Sequence, residues 1–236
     1  MGAATLGEDT YKAPVPPKDT LFWYKADSLS LSDGQAVTLW ADSSGKGNNQ
    51  VQNINASPTY KANQLNGLPV VNFAGNNSGH VDQSLSCNPL SAAISPSIFT
   101  LVFVANFTGA GDGLNGILCG DTGSTFSVGW STFAPAVTMV TQFDIVGLSA
   151  NTYYLAFLEA NGASSNLKIN GSVNSSGSLA TNNTVTNLSV GNFDVPVPDH
   201  LGMAGNLAEM ILVPRVLTAA ETTAIYNYLK GKWGVG

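Results

Sequence analysis

Three kinds of residue in this 236-residue chain could do chemistry: carboxylates, histidines and aromatics set among polar groups. Hydrolysis of a sugar bond needs two carboxylates across a cleft, one to protonate the leaving oxygen and one to attack or to activate water. The chain has four glutamates, Glu8, Glu159, Glu209 and Glu221. None has a second acid two, three or four residues away on a predicted strand. Glu8 and Asp9 fall in a Pro-rich leader, and Glu221 sits where a helix cap needs it. Distant acids can converge, so this spacing removes the local motif for hydrolysis and no more. Strand alternation places Glu209 with Leu207 and Ile211 on one face. A carboxylate among apolar residues is either a general acid or ligand anchor, or a structural group bonded to N–H donors or a cation.

His80 lies near Asp82, and Asp199 precedes His200. A Ser-His-Asp triad would need convergence from distant loops, no G-x-S-x-G elbow is present, and the histidines lack zinc spacing. Both read as loop histidines. Calcium is the metal that the loops would suit, because it takes several oxygens from flexible segments. Asp112 and Asn115 in one loop, Asp121 in another, and Asp194 and Asp199 are the oxygens on offer. No EF-hand is present, and no cofactor is otherwise expected. A sugar ring would stack on an aromatic surrounded by amides and carboxylates. Trp130, beside Gly129 and Ser131, is the candidate, with Asp112, Asn115 and Asp121 as polar partners. Trp23, Trp40 and Trp233 read as core or helix-docking residues. Cys87 and Cys119 belong to no C-x-x-C pattern. They read either as two buried thiols or as one disulfide.

These residues need a frame, and the sequence predicts a β-rich one. Residues 1–20 carry Pro14, Pro16 and Pro17 and read as an extended arm, either a leader or a segment that orders on a neighbouring subunit. Strand-like runs follow at Leu21–Tyr24, Val37–Trp40 and Pro69–Phe73. Ile98–Ala105 is apolar on both faces, as a central strand must be. Further runs span Leu114–Cys119, Thr125–Trp130, Val137–Phe143, Tyr153–Leu158 and Val185–Val190. Asn170-Gly171 between alternating residues predicts a type I′ hairpin. Leu207–Val213 is a strand stopped by Pro214. Thr218 and Glu221 then form a capping box before a helix whose Ile225, Tyr228, Leu229 and Trp233 share a face. Many short strands with one helix predict a single β-sandwich over residues 21–236.

Only 10% of residues are charged, against about a quarter in typical chains. The surface must be Asn, Ser, Thr and Gly, as suits extracellular or particle-borne β proteins. Net charge is −6 with nine basic residues, which argues against nucleic acid and against anionic membranes. The longest apolar run is too short to span a bilayer. The N-terminus lacks a basic start and an apolar stretch, so no signal peptide is expected.

The strings WYKADSLSLSDGQAVTLWADSSGKGN, LNGLPVVNF and AGNLAEMILVPRVLTAAETTAIYNYLKGKWG resemble the laminin-G-like jelly-roll domains of the concanavalin A-like lectin and glucanase superfamily. The resemblance runs from Leu21 to the C-terminus. It implies an all-β jelly-roll sandwich of two antiparallel sheets with a short C-terminal helix, its first and last strands close together. It also implies a binding or structural module rather than a fixed catalytic set. Trp40, Asp42, Ser44, Gly45 and Asn48 match recurrent positions that determine the fold. The Glu-x-Asp-x-Glu strand motif of the glucanase branch is absent, and an acid at Glu209 recurs regardless of activity. Trp40, Asp42, Glu209 and Trp233 are therefore expected to be structural.

The leading expectation is a non-enzymatic surface-binding or structural module, a phage virion protein of the capsid-decoration or tail-associated kind, with glycans as ligands. Its partners would be copies of itself or other virion or surface proteins, engaged through the arm, and its place the virion or an extracellular surface. The rival is a glycan-active hydrolase or lyase of the same superfamily.

Overall fold

A computed structural model describes residues 16–52, 56–75, 83–108, 114–120, 127–131, 136–139, 148–179, 184–191 and 202–236. Two antiparallel sheets stack face to face, and one helix lies on the outside of the larger sheet. The larger sheet runs β13 (Ser172–Gly177), β12 (Ser165–Ile169), β11 (Tyr154–Asn161), β7 (Ile98–Phe107), β15 (Ala204–Val213), β5 (Leu68–Ala74), β4 (Thr59–Leu65). The opening strand β1 (Phe22–Lys25) shares one edge of β15 with β5: β5 pairs with Ala204–Leu207 and β1 with Glu209–Leu212. The smaller sheet runs β10 (Ala136–Met139), β9 (Ser127–Ser131), β8 (Leu114–Cys119), β14 (Leu188–Val190), β6 (Leu85–Cys87), β3 (Gln50–Gln52), β2 (Leu39–Trp40). The all-β jelly-roll sandwich with a C-terminal helix is thus the observed fold, and the first and last strands are hydrogen-bonded neighbours.

The central strands explain why the larger sheet has two apolar faces. In β7, Phe99, Leu101, Phe103, Ala105 and Phe107 enter the core between the sheets, where Trp40, Leu85, Leu188 and Val190 meet them. Val102 and Val104 point the other way. There they join Phe157, Ile211 and Val213 beneath α1 (Ala219–Trp233), which contributes Ile225, Leu229 and Trp233. Without the helix this outer face would be an exposed apolar patch. Thr218 caps α1 by accepting from the Glu221 N–H, Glu221 closes the capping box, and Gly234 ends the helix in the left-handed region at φ 68°. Asn170 and Gly171 both take positive φ, 49° and 82°, the signature of the predicted type I′ turn.

One expectation fails. Leu207 enters the inter-sheet core, whereas Glu209 lies on the helix side with Ile211. The register of β15 on β7 slips between Leu207 and Glu209, pairing Leu207 with Ala105 and Glu209 with Val104. Ala208 is the extra residue of a β-bulge, and a bulge inverts the alternation beyond it. Close by, Gly205 has no room for a side chain, since a Cβ there would stand 2.1 Å from the Asn106 carbonyl oxygen.

Candidate functional site

Two carboxylates organise the closure of the sandwich, and both hold Trp23. Glu209 is fully buried. A buried charge needs a counter-charge and hydrogen bonds, and Glu209 has both. Its Oε1 accepts from Trp23 Nε1 at 2.5 Å. Its Oε2 accepts from Trp233 Nε1 at 2.9 Å, Lys232 Nζ at 2.7 Å and Tyr228 Oη at 3.5 Å. Burial, then the charge of Glu209, push the Tyr228 phenol well above its ordinary value, so it stays a donor. The bulge puts Glu209 on this face; the helix brings Tyr228, Lys232 and Trp233 as i, i+4 and i+5 neighbours.

The second carboxylate, Asp42, staples the loop after β2 to β1. Its Oδ1 accepts from the backbone N–H groups of Trp23 (2.9 Å) and Ser44 (2.8 Å). Its Oδ2 accepts from the Ser44 hydroxyl (2.7 Å) and the Asn48 N–H (3.1 Å). Asn48 then bonds the Leu21 carbonyl and Ser91. Trp23 is therefore fixed at its backbone by Asp42 and at its indole by Glu209. Tyr228 meets its ring edge-on with centroids 6.1 Å apart, and Lys25 Nζ lies 4.2 Å from the ring centre.

The remaining, half-buried surface of Trp23 lines a depression of about 220 Å³ with Pro16, Pro17, Lys18, Thr20, Ser43 and Ser44. Thr20 is 3% exposed, and its hydroxyl has no hydrogen-bond partner among the described residues. The depression offers an aromatic surface, hydroxyls and one cation. None of its lining residues is a carboxylate. Drug-sized ligands occupy roughly 300 Å³ or more, so this space suits one ring. Residues 16–20, assigned to the arm from sequence, lie against the sandwich here. Arg215 clamps Asp19 and Glu221 with paired bonds of 2.6–3.1 Å.

Of the candidates named from sequence, Trp130 and Asn115 are placed by their backbones. Trp130 and Asn115 are register partners on β9 and β8, so the fold does bring these two positions together. Asp112 and Asp121, with His80, Asp82, Asp194, Asp199 and His200, lie outside the described residues. So do the oxygens suggested for calcium, Asn115 being placed only by its backbone. Among the described residues no three His, Cys, Asp or Glu side chains gather as a metal site. No helix among them is long and apolar enough to cross a membrane. Trp40 and Trp233 are fully buried. Trp23 is expected from sequence to be a core or helix-docking residue. It docks the helix and also faces the depression, and the alternation in Phe22-Trp23-Tyr24-Lys25 was the available signal. Cys87 and Cys119 are buried thiols and form no disulfide with each other. Cys87 pairs with Leu188 and Cys119 with Ser189. Consecutive residues of β14 face opposite ways, so the two thiols leave opposite faces of the sheet.

No family model matches the sequence, and no curated protein does. Solved structures do match. The sialidase of Trypanosoma rangeli in complex with sialic acid superposes with a TM-score of 0.58 at 10% identity, over 93% of this chain and 34% of that one. The binding domain of botulinum neurotoxin serotype G gives 0.60 at 12% identity, over 92% and 54%. That of serotype D/C gives 0.60 at 11%, over 92% and 55%. The likeness is one of fold, a β-sandwich of the concanavalin-like jelly-roll type. This chain spans between a third and about half the length of those chains.

Proposed function

We propose that the chain is a non-catalytic binding module of laminin-G-like type, and that the depression beside Trp23 receives one sugar ring. The observation that carries this reading is the fixation of Trp23 at both ends. An aromatic held in one geometry loses little entropy when a ring stacks on it. Ser43 and Lys18, which line the depression, supply polar groups around it. Among the described residues, the carboxylates favour binding over hydrolysis. Glu209 is enclosed, Glu221 and Asp19 are held by Arg215, Glu159 is held by Lys168 at 2.6 Å, and Asp42 is held by four donors. The sialic acid bound by the sialidase is one sugar to include in a panel. In our reading the module decorates a larger assembly, a virion surface; the low charge density and the Pro-rich leader support that reading, and co-purification with native particles tests it.

The test of the site is a glycan panel read for binding and, in parallel, for released reducing sugar. Binding without release is expected. The variant Ser43→Trp, which fills the depression while keeping both anchors of Trp23, should lower affinity at least tenfold. Undiminished binding by that variant would remove the site, and sugar release abolished by Glu209→Gln would establish the enzymatic reading instead.

A further inference from the structure

We propose that Asp27 and Lys232 become joined by an intramolecular amide bond, with Glu209 as the general base. Lys232 Nζ stands 2.8 Å from Asp27 Oδ1 and 2.7 Å from Glu209 Oε2. The lysine side chain is 14% exposed, Asp27 30% and Glu209 not at all. Lys232 Nζ also donates to Tyr228 Oη at 3.2 Å, and the Trp233 ring centre is 4.8 Å away. Two carboxylates thus compete for one ammonium inside an aromatic wall, and the cluster carries a net charge of −1. A partly buried ion pair is expensive to keep desolvated. Condensation removes one cation and one anion together and leaves Glu209 with its two indole donors and the new amide N–H.

The step balances without a co-reactant. Glu209 takes one proton from the Lys232 ammonium, which frees the nitrogen lone pair, because only the neutral amine is nucleophilic. Glu209 passes that proton on to an Asp27 oxygen, because an ionised carboxylate is not an electrophile, and the nitrogen then attacks Cγ of the neutral acid and the N–C bond forms. One C–O bond then breaks, and the departing oxygen leaves with two protons, the one passed on by Glu209 and one from the nitrogen. Water leaves, the amide keeps one N–H, and Glu209 ends as the carboxylate it began as. Amide formation from free ions is unfavourable in water. Groups held in contact react with effective molarities of about 10⁵–10⁸ M, and this nucleophile and electrophile are held in contact by Glu209. The bond would tie the turn after β1 to the last turn of α1, 205 residues apart in sequence, and so lock the two ends of the domain together.

Intact-mass spectrometry of the denatured full chain decides the matter. Wild type should be lighter than its sequence by one water, Lys232→Arg and Asp27→Ala should show full mass, and Asp27→Asn should lose ammonia instead. Trypsin should fail to cut after Lys232 in the wild type and should yield a branched peptide containing Asp27. A wild-type chain at full mass, with Lys232 cleaved normally, overturns the proposal and leaves an ion pair. Met1 removal is read from its own peptide and does not confuse the comparison.

Discussion

At the scale of residues, Glu209 is held by two indole N–H groups and the Lys232 ammonium. Glu209→Gln keeps one acceptor oxygen but turns an amide N–H₂ toward indole N–H donors and strips Lys232 of its enclosed partner. Measured by urea unfolding in the Asp27→Ala background, where no amide can form, breaking this buried pair on one side should cost about 3–5 kcal/mol. Glu221 makes a second, pH-dependent case. The hydrogen bonds from Arg215, then that from the Thr218 N–H, lower its pKa from 4.5 to about 2. A depressed carboxylate contributes stability that is present above its unfolded value and lost as pH falls through the folded one. The difference between wild type and Glu221→Gln should therefore be full at neutral pH and shrink between pH 4.5 and 2. A difference that stays constant across that window would contradict the assignment. The sequence exposed Glu209 as a carboxylate among apolar residues but not its donors, since Trp23 lies 186 residues away.

At the scale of elements, what could be read from sequence was whatever is encoded locally. The capping box and the type I′ turn each need only a few adjacent residues, and both are present. Thr218→Ala should cost about 1 kcal/mol, measured by the same unfolding curves. Gly171→Ala should be worse than a turn glycine in open solvent, because φ is 82° and the new Cβ would also stand 3.1 Å from the Tyr226 ring; a fall in melting temperature of several degrees is expected. The bulge at Ala208 was not legible, because a register slip depends on the partner strands and not on the run itself. That one residue decides which face Glu209 occupies. The depression was equally hidden: it is made by residues 16–20, Trp23 and the loop after β2, which only the pairing of β1 with β15 and the Asp42 staple bring together.

At the scale of the molecule, the sandwich holds without a disulfide. Two thiols should titrate after denaturation, and reductant should leave the melting temperature unchanged; a reductant-dependent shift would contradict the facing of Cys87 and Cys119. Deleting residues 1–15 should leave the fold intact by circular dichroism, whereas deletion through Thr20 also removes the Asp19–Arg215 clamp and a buried residue and should lower stability. The proposed binding function rests on Trp23 being preset for a sugar ring by Asp42 and Glu209. The Trp23 indole N–H resonance, assigned by its loss in Trp23→Phe and followed during titration with the sugar that binds best on the panel, tests it most directly. A saturable shift of that resonance in wild type, absent in Ser43→Trp, is the predicted result. Saturating sugar that leaves the Trp23 resonance in place while binding is detected elsewhere would contradict it.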